Sequence, residues 1–252
     1  MGSRQEQVEF RPLKEESFHF ACHRGISCFT ECCARLRLIL TPYDILRMKK
    51  RLGLTSDQFL SDYTETVIDR RHRFPLVKLK MNGDPAGACP FVTSDGCTIY
   101  PDRPEACRLY PIGRASAMPD GTTESNNTFF MVVEPHCKGF REKQVWSLKE
   151  WLNHEGVKEY AAMNDPWRGI VTSVRSLGPE AHIPQKHQMF FMASYNLDKF
   201  RNFIFKSRFL DRFEVDAVLK ERLETDDVAL MRFGFDWLRF SLFGEKTITT
   251  KI

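Results

Sequence analysis

The polar and apolar positions change character near residue 145. Before that point the apolar runs are short. Residues 36–40, Leu-Arg-Leu-Ile-Leu, read as a strand or extended segment, and residues 76–81 alternate as a half-buried strand does. Between them Thr41-Pro42-Tyr43-Asp44 opens a helix: Thr41 as N-cap, Pro42 at the first helical position, Asp44 at the positive end of the dipole. Gly53 stops it, and Thr55 or Ser56 then caps a second helix with Phe59, Leu60 and Tyr63 on its buried face. Asn82-Gly83 and Asp95-Gly96 are turn dipeptides. The second predicts a hairpin that brings Cys89 and Cys97 together at the ends of two short strands. Asp102 is placed to cap a short helix carrying Cys107, and residues 128–133 read as a strand that delivers His136 and Cys137.

From residue 145 the pattern is helical. Val145 to Glu155 and Val157 to Asn164 read as helices interrupted near Asp165-Pro166. Leu197, Phe200, Phe203 and Ile204 mark one helical face; Val215, Val218, Leu219, Arg222 and Leu223 mark another. Leu230, Gly234, Trp237, Leu238 and Ser241 line a helix that is apolar on nearly all sides, which predicts burial against the cysteine-bearing part. No internal repeat or low-complexity linker interrupts the 252 residues. The expectation is an α+β fold. A small cysteine-rich region at 18–140, with short strands and a hairpin, packs as one unit with a mostly helical part at 145–252. Residues 1–17 are polar and read as a mobile arm.

Composition narrows the class only a little. Hydrophobic content of 42% and charged content of 28% are those of an ordinary globular chain. A formal net charge of +4 is too weak a bias to point to nucleic acid or a membrane surface. The densest basic run, Arg70-Arg71-His72-Arg73, reads as a solvated loop. No apolar stretch reaches the roughly 20 residues that span a bilayer. The start of the chain has no apolar leader, and Glu6 stands where N-myristoylation favours Ser or Thr. The expected setting is the cytoplasm.

The cysteines change the picture most. Eight are present, and all lie before residue 140: Cys22, Cys28, Cys32 and Cys33, then Cys89, Cys97 and Cys107, then Cys137. In a reducing compartment such clustered thiols are thiolate ligands rather than cystines. Four thiolates close a zinc site or hold an iron–sulfur cluster, so eight suffice for two. The side chains of adjacent Cys32 and Cys33 diverge, which suits ligands of different metals or bridging ligands of a cluster. The spacings C-x5-C-x3-C-C and C-x7-C-x9-C match neither the zinc-ribbon C-x2-C nor the ferredoxin run, so zinc and iron–sulfur both stay open. His23 and His136, each beside a cysteine, read as polar neighbours rather than ligands. Arg103 and Arg108 read as offsets to thiolate charge, with Tyr100 and Tyr110 as packing groups. Dinucleotide, P-loop, zinc-protease and nucleophile-elbow motifs are absent, as is the C-x3-C-x2-C radical motif.

An ordered block carries a resemblance. Cys22, Cys28, Cys32 and Cys33 are followed by the leucine-rich segment and the Thr-capped helix. Then come Cys89, Phe91, Gly96, Cys97, Ile99, Tyr100, Arg103, Pro104, Cys107, Arg108, Tyr110 and Pro111. Over roughly residues 18 to 140 this resembles the YkgJ-type cysteine-cluster family, with one departure, C-x5-C at the start where C-x2-C is commoner. The resemblance implies a domain that chelates zinc or iron. Some relatives are flagellin lysine N-methylases, which implies an alternative: a protein lysine N-methyltransferase that uses S-adenosylmethionine on a protein substrate, or another cluster-dependent modifying enzyme. On that alternative the region after 145 carries the substrate-specific function.

Overall fold

The computed structural model describes residues 8–13, 17–68, 73–117 and 126–251. Short antiparallel sheets lie mainly before residue 148 and helices after it, which makes an α+β fold. Two compact units share the chain, and neither is continuous. One comprises Met1–Leu38 and Lys80–Ala162, the other Ile39–Leu79 and Met163–Ile252. Residues 70–72 of the basic run lie outside the described residues.

The first unit contains all eight cysteines and, besides a two-stranded hairpin at Val92–Cys97, two sheets. In the larger, Asn126–Val133 is the central strand, antiparallel to Glu9–Pro12 on one side and Ile112–Ala117 on the other. The segment expected to be a mobile arm therefore contains a paired strand. Its positions are exposed, so no alternation announces it; backbone hydrogen bonds and the edge-on contact of Phe10 with Phe130, 5.5 Å between centroids, hold it instead. Gly113 faces Phe130 across the ladder, and a Cβ there would overlap the ring.

The smaller sheet pairs Ser17–His19 with Val145–Ser147. Residues 145–147 read as the first turn of a helix, but tertiary pairing wins locally. The Trp146 indole N–H donates to the Phe20 carbonyl over 2.9 Å, and Ser147 then caps Leu148–His154 with Glu150 completing the box. The adjoining core is aromatic: Phe18 of Ser17–His19 and Phe20 just after it meet Trp151, Tyr110 and Phe140 edge-on, with centroids 5.5–5.9 Å apart. Each such buried ring contributes about 1.5–3 kcal/mol from burial. This core sits immediately before Cys22 and fixes where the cysteine loop begins.

In the second unit Leu76–Leu79 is the middle strand between Ile39–Leu40 and Thr64–Val67. Being central, it is covered on both faces rather than alternating: Leu76, Val77 and Leu79 are all buried. Helix Pro42–Leu52 forms as its sequence dictates, with reciprocal Thr41–Asp44 capping bonds of 3.2 and 2.9 Å and Gly53 left-handed at φ 67°. Thr55 and Gln58 cap Ser56–Tyr63 in the same way.

Helix Val157–Thr172 runs through Pro166 instead of breaking there. The proline nitrogen cannot donate to the carbonyl four residues back, a cost of about 3 kcal/mol in an exposed helix. Trp167 and Ile170, both buried just beyond it, keep the helix in register. Helix Asp227–Phe243 is apolar on nearly all sides, and Ile183–Tyr195, Leu197–Lys206 and Ala217–Thr225 of its own unit pack against it. Gly234 permits the closest approach: a Cβ there would stand 2.8 Å from the Ala193 carbonyl oxygen. Leu223 is the buried member of the face on Ala217–Thr225, while Val218 is 70% exposed. No helix among the described residues is long and apolar enough to cross a membrane.

Candidate metal centre

All eight cysteines carry free thiols; Cys28 is buried, Cys22 exposed and the other six half-buried. A chain of tight turns gathers the first four. Past Phe20 the backbone is tied to Gly139 by the Ala21 amide at 3.2 Å, and Gly139 has no room for a Cβ, which would lie 2.7 Å from the Ala21 oxygen. Consecutive bonds then fold the loop: Ile26 to the His23 carbonyl, Phe29 to Ile26, Glu31 to Cys28 and Cys33 to Thr30. Thr30 takes the left-handed conformation at φ 70° to let the short Glu31–Cys33 helix begin. Cys33 in turn accepts from the Cys89 amide at 2.7 Å, which brings the second cysteine block alongside.

In that block the Asp95-Gly96 hairpin forms as the sequence predicts, pairing Val92–Thr93 with Gly96–Cys97 and placing Gly96 at φ 109°. Cys89 and Cys97 come close enough for the charge of one to disfavour ionisation of the other. The turn before it falls on Asp84 to Gly87, not on Asn82-Gly83: the Gly87 amide meets both the Asp84 carbonyl and its carboxylate, and Gly87 supplies the positive φ. Cys107 rides on helix Glu105–Leu109. Asp102 does not cap that helix; it ends a short turn over Tyr100–Asp102, and Pro104 holds the cap position.

Besides Cys32, whose own amide reaches its sulfur, four sulfurs receive backbone amides. Cys89 is served by Phe91, Cys97 by Ile99 and Cys137 by Gly139, in each case the residue two positions on. Cys28 is served from far away by Lys138, N to Sγ 3.1 Å. Donors aimed at sulfur favour the thiolate over the thiol. No spacing of cysteines reveals this feature, although a residue bearing an N–H two places after each of the three would have been the sign to look for.

Burial and crowding work the other way. Desolvation first, then the charges of Cys32, Cys137, Cys28 and Glu155, push Cys22 up to about 11. The hydrogen bond with Cys33 and then burial hold Cys32 far above the usual thiol range, with Glu134 adding to the effect. Cys22, Cys28, Cys32 and Cys137 thus form one electrostatic group. A divalent cation at such a group reverses the balance and deprotonates the thiols outright. Among the described residues no three His, Cys, Asp or Glu side chains already enclose a metal position, so closure requires the thiols to turn inward. The donor set itself fits a soft or borderline metal.

Arg103 and Arg108 do less for the thiols than their position suggested. Arg103 forms a buried ion pair with Glu155 and lies 3.7 Å from the Tyr100 ring centroid; its charge favours ionised Cys97 only after burial and the Ile99 amide have acted. Arg108 hydrogen bonds the carbonyls of Pro101, Arg103 and Glu155 and the Tyr160 hydroxyl. Together they clamp the segment around Cys107 to the end of helix Leu148–His154. Glu155, their shared partner, carried no signal in the sequence.

The family model CxxCxxCC, described as a "Putative zinc- or iron-chelating domain", matches residues 21–138. Those residues are a CxxCxxCC domain. Its limits enclose all eight cysteines, from Cys22 to Cys137, and agree with the YkgJ-type resemblance of the sequence. No curated protein and no solved structure matches the chain. In the CxxCxxCC domain the buried Tyr110 hydroxyl stands beside the Cys137 thiol and the Glu134 carboxylate but completes a hydrogen bond of good geometry with neither. His136 Nε2 is a second shielded polar atom without a hydrogen-bond partner. Two such atoms beside the thiol group are consistent with a further group bound there.

Proposed function

We propose that the CxxCxxCC domain binds zinc or iron through its eight cysteine thiolates, arranged as two groups of four. Cys22, Cys28, Cys32 and Cys137 make the first group, on the strength of their mutual electrostatic coupling. Cys33, Cys89, Cys97 and Cys107 make the second: Cys33 is hydrogen bonded to Cys89 through the backbone, and Cys97 answers it across the hairpin. Cys32 and Cys33, adjacent and hydrogen bonded through their side chains, stand where the two groups meet. The single observation that carries the reading is the set of backbone amides directed at Cys28, Cys89, Cys97 and Cys137. A neutral thiol gains little from such a donor, whereas a metal-bound thiolate gains a charge-assisted bond.

Bound metal would supply folding free energy to a region held by turns and two-residue strands. Closed tetrathiolate zinc is structural, while an iron–sulfur cluster would add electron transfer. Free thiols in this number suit a reducing, cytoplasmic setting. The test is metal and inorganic-sulfide content of the full chain purified without oxygen, with Cys28→Ser and Cys97→Ser alongside. Each substitution is expected to remove one group's metal and leave the other's. Metal content unchanged in both variants would refute the assignment. A brown, sulfide-containing sample would mean a cluster, and a colourless one with stoichiometric zinc would mean a structural site.

A further inference from the structure

We propose that the outer edge of strand Glu9–Pro12 pairs with the same strand of a second copy of this chain, antiparallel and centred on Phe10. Two three-stranded sheets then become one continuous sheet. The inference is independent of the metal-binding reading.

Glu9–Pro12 is an end strand, and among the described residues no strand pairs with it on the side away from Asn126–Val133. The ladder decides which of its groups point outward. On the far side of the central strand the Val132 amide donates to the Pro111 carbonyl at 2.8 Å. Hydrogen-bonding direction alternates along a strand, so the backbone groups of Met131 and Val133 turn to their partners Arg11 and Glu9. The amides and carbonyls of Phe10 and of Val8, just before the strand, then face outward, with the Pro12 carbonyl. Pro12 has no N–H and stands where a sheet accepts proline, on an edge. An edge of this kind is a template for a further strand.

The side chains select the partner. In antiparallel pairing about Phe10, the two Phe10 residues exchange two backbone hydrogen bonds, and the Val8 amides reach the Pro12 carbonyls. Glu9 of each copy lies opposite Arg11 of the other, at positions where facing side chains come closest. Charge singles out this register. The smallest slide that keeps the same groups facing is two residues, and it sets Glu9 against Glu9 in one direction and Arg11 against Arg11 in the other. Like charges directly opposite are destabilising. Within one copy Arg11 Nη2 already bonds Glu9 Oε2 at 2.7 Å, and both side chains are more than half exposed. Pairing would close an alternating ring of four charges. Phe10, 66% exposed, shares one sheet face with Val132, Pro12 and Phe130, and the second copy carries that apolar face across the axis. One short ladder covers less area than a stable interface needs, so the dimer is weak and reversible.

Sedimentation of the full chain, purified without oxygen, tests this over about 5–500 µM. A monomer–dimer equilibrium that weakens as salt is raised is expected. Glu9→Arg and Arg11→Glu should each weaken self-association about tenfold, because each sets like charges opposite at two places. An equimolar mixture of the two variants should dimerise again, and the double exchange Glu9→Arg with Arg11→Glu should restore self-association. These recoveries keep the test decisive if a single variant folds poorly. A chain monomeric throughout, even one whose edge takes up a foreign peptide, would overturn the inference. So would a dimer that neither single exchange weakens, or a mixture that fails to recover.

Discussion

The amide of Lys138 donates to the sulfur of Cys28 over 3.1 Å, a bond between positions 110 residues apart. It joins the first cysteine loop to the turn that carries Cys137, and the Ala21–Gly139 hydrogen bond lies next to it. Gly139 allows that approach because any side chain there would meet the Ala21 oxygen and the Phe20 ring. The two ends of the CxxCxxCC domain are therefore closed on each other by backbone geometry, and the first group of thiols sits at the closure.

Alkylation rates should report that environment. Cys22 is exposed, yet burial of its sulfur and the neighbouring thiols raise it to about 11 from an ordinary 9.0. The thiolate fraction near neutral pH falls about a hundredfold, and the higher intrinsic nucleophilicity recovers about tenfold of it. Metal-free Cys22 should thus react with iodoacetamide about tenfold more slowly than an ordinary exposed thiol. Peptide mapping of timed reactions measures this, and a rate equal to that of a solvated cysteine would contradict it.

Glu155→Gln should destabilise the first unit strongly. The Arg103–Glu155 pair has side chains only 9% and 8% exposed, so the variant leaves a buried guanidinium without its counter-charge. Breaking such a pair typically costs about 3–5 kcal/mol. A double replacement by apolar residues, Arg103→Met with Glu155→Leu, should cost less than Glu155→Gln alone. Urea midpoints of the metal-loaded proteins compare them; simple additivity would show that the pair is not coupled.

Gly234→Ala sets two effects against each other. Alanine in a helix gains up to about 1 kcal/mol over glycine. The new Cβ, however, would lie 2.8 Å from the Ala193 carbonyl oxygen, a backbone atom that moves only with its helix. Overpacking of this kind costs about 1–3 kcal/mol, so net destabilisation is expected. A melting temperature at or above that of the unaltered chain would mean that the helices separate freely.

Acid should weaken the second unit through Asp198 and Asp227. Burial pushes both carboxyls up, but at Asp227 the Arg201 hydrogen bond and the charges of Lys49 and Lys50, and at Asp198 the Ser56 amide and Lys49, outweigh it and hold both below the usual range. Each bound proton is therefore disfavoured in the folded state. Their contribution is complete above the unfolded carboxyl value near pH 4 and is lost as pH falls below it, through their lowered folded values. Asp227→Asn should lose stability at neutral pH, by about 1–3 kcal/mol because Lys49 keeps Asp198, and should show a flatter acid dependence than the unaltered chain. Parallel acid dependences would exclude Asp227 from the effect.

Local chemistry was legible in the sequence and distant pairing was not. Thr41, Pro42, Asp44 and Gly53 set the limits of a helix because caps act within a few residues, and Asp95-Gly96 set the hairpin for the same reason. Residues 145–147 read as helix because nothing local shows that Ser17–His19 will pair with them. Pro166 read as a break because its cost is local while the compensating burial of Trp167 and Ile170 comes from elsewhere in the unit. The cysteines were plain, but the amides of Phe91, Ile99, Lys138 and Gly139 that receive their sulfurs belong to the fold.

X-ray absorption at the metal edge of the anaerobically purified full chain is the most direct test of the thiolate assignment. Bound zinc or iron with a first shell dominated by sulfur at about 2.3 Å is the expected result. A chain that binds neither metal, or a first shell of oxygen and nitrogen alone, would contradict it.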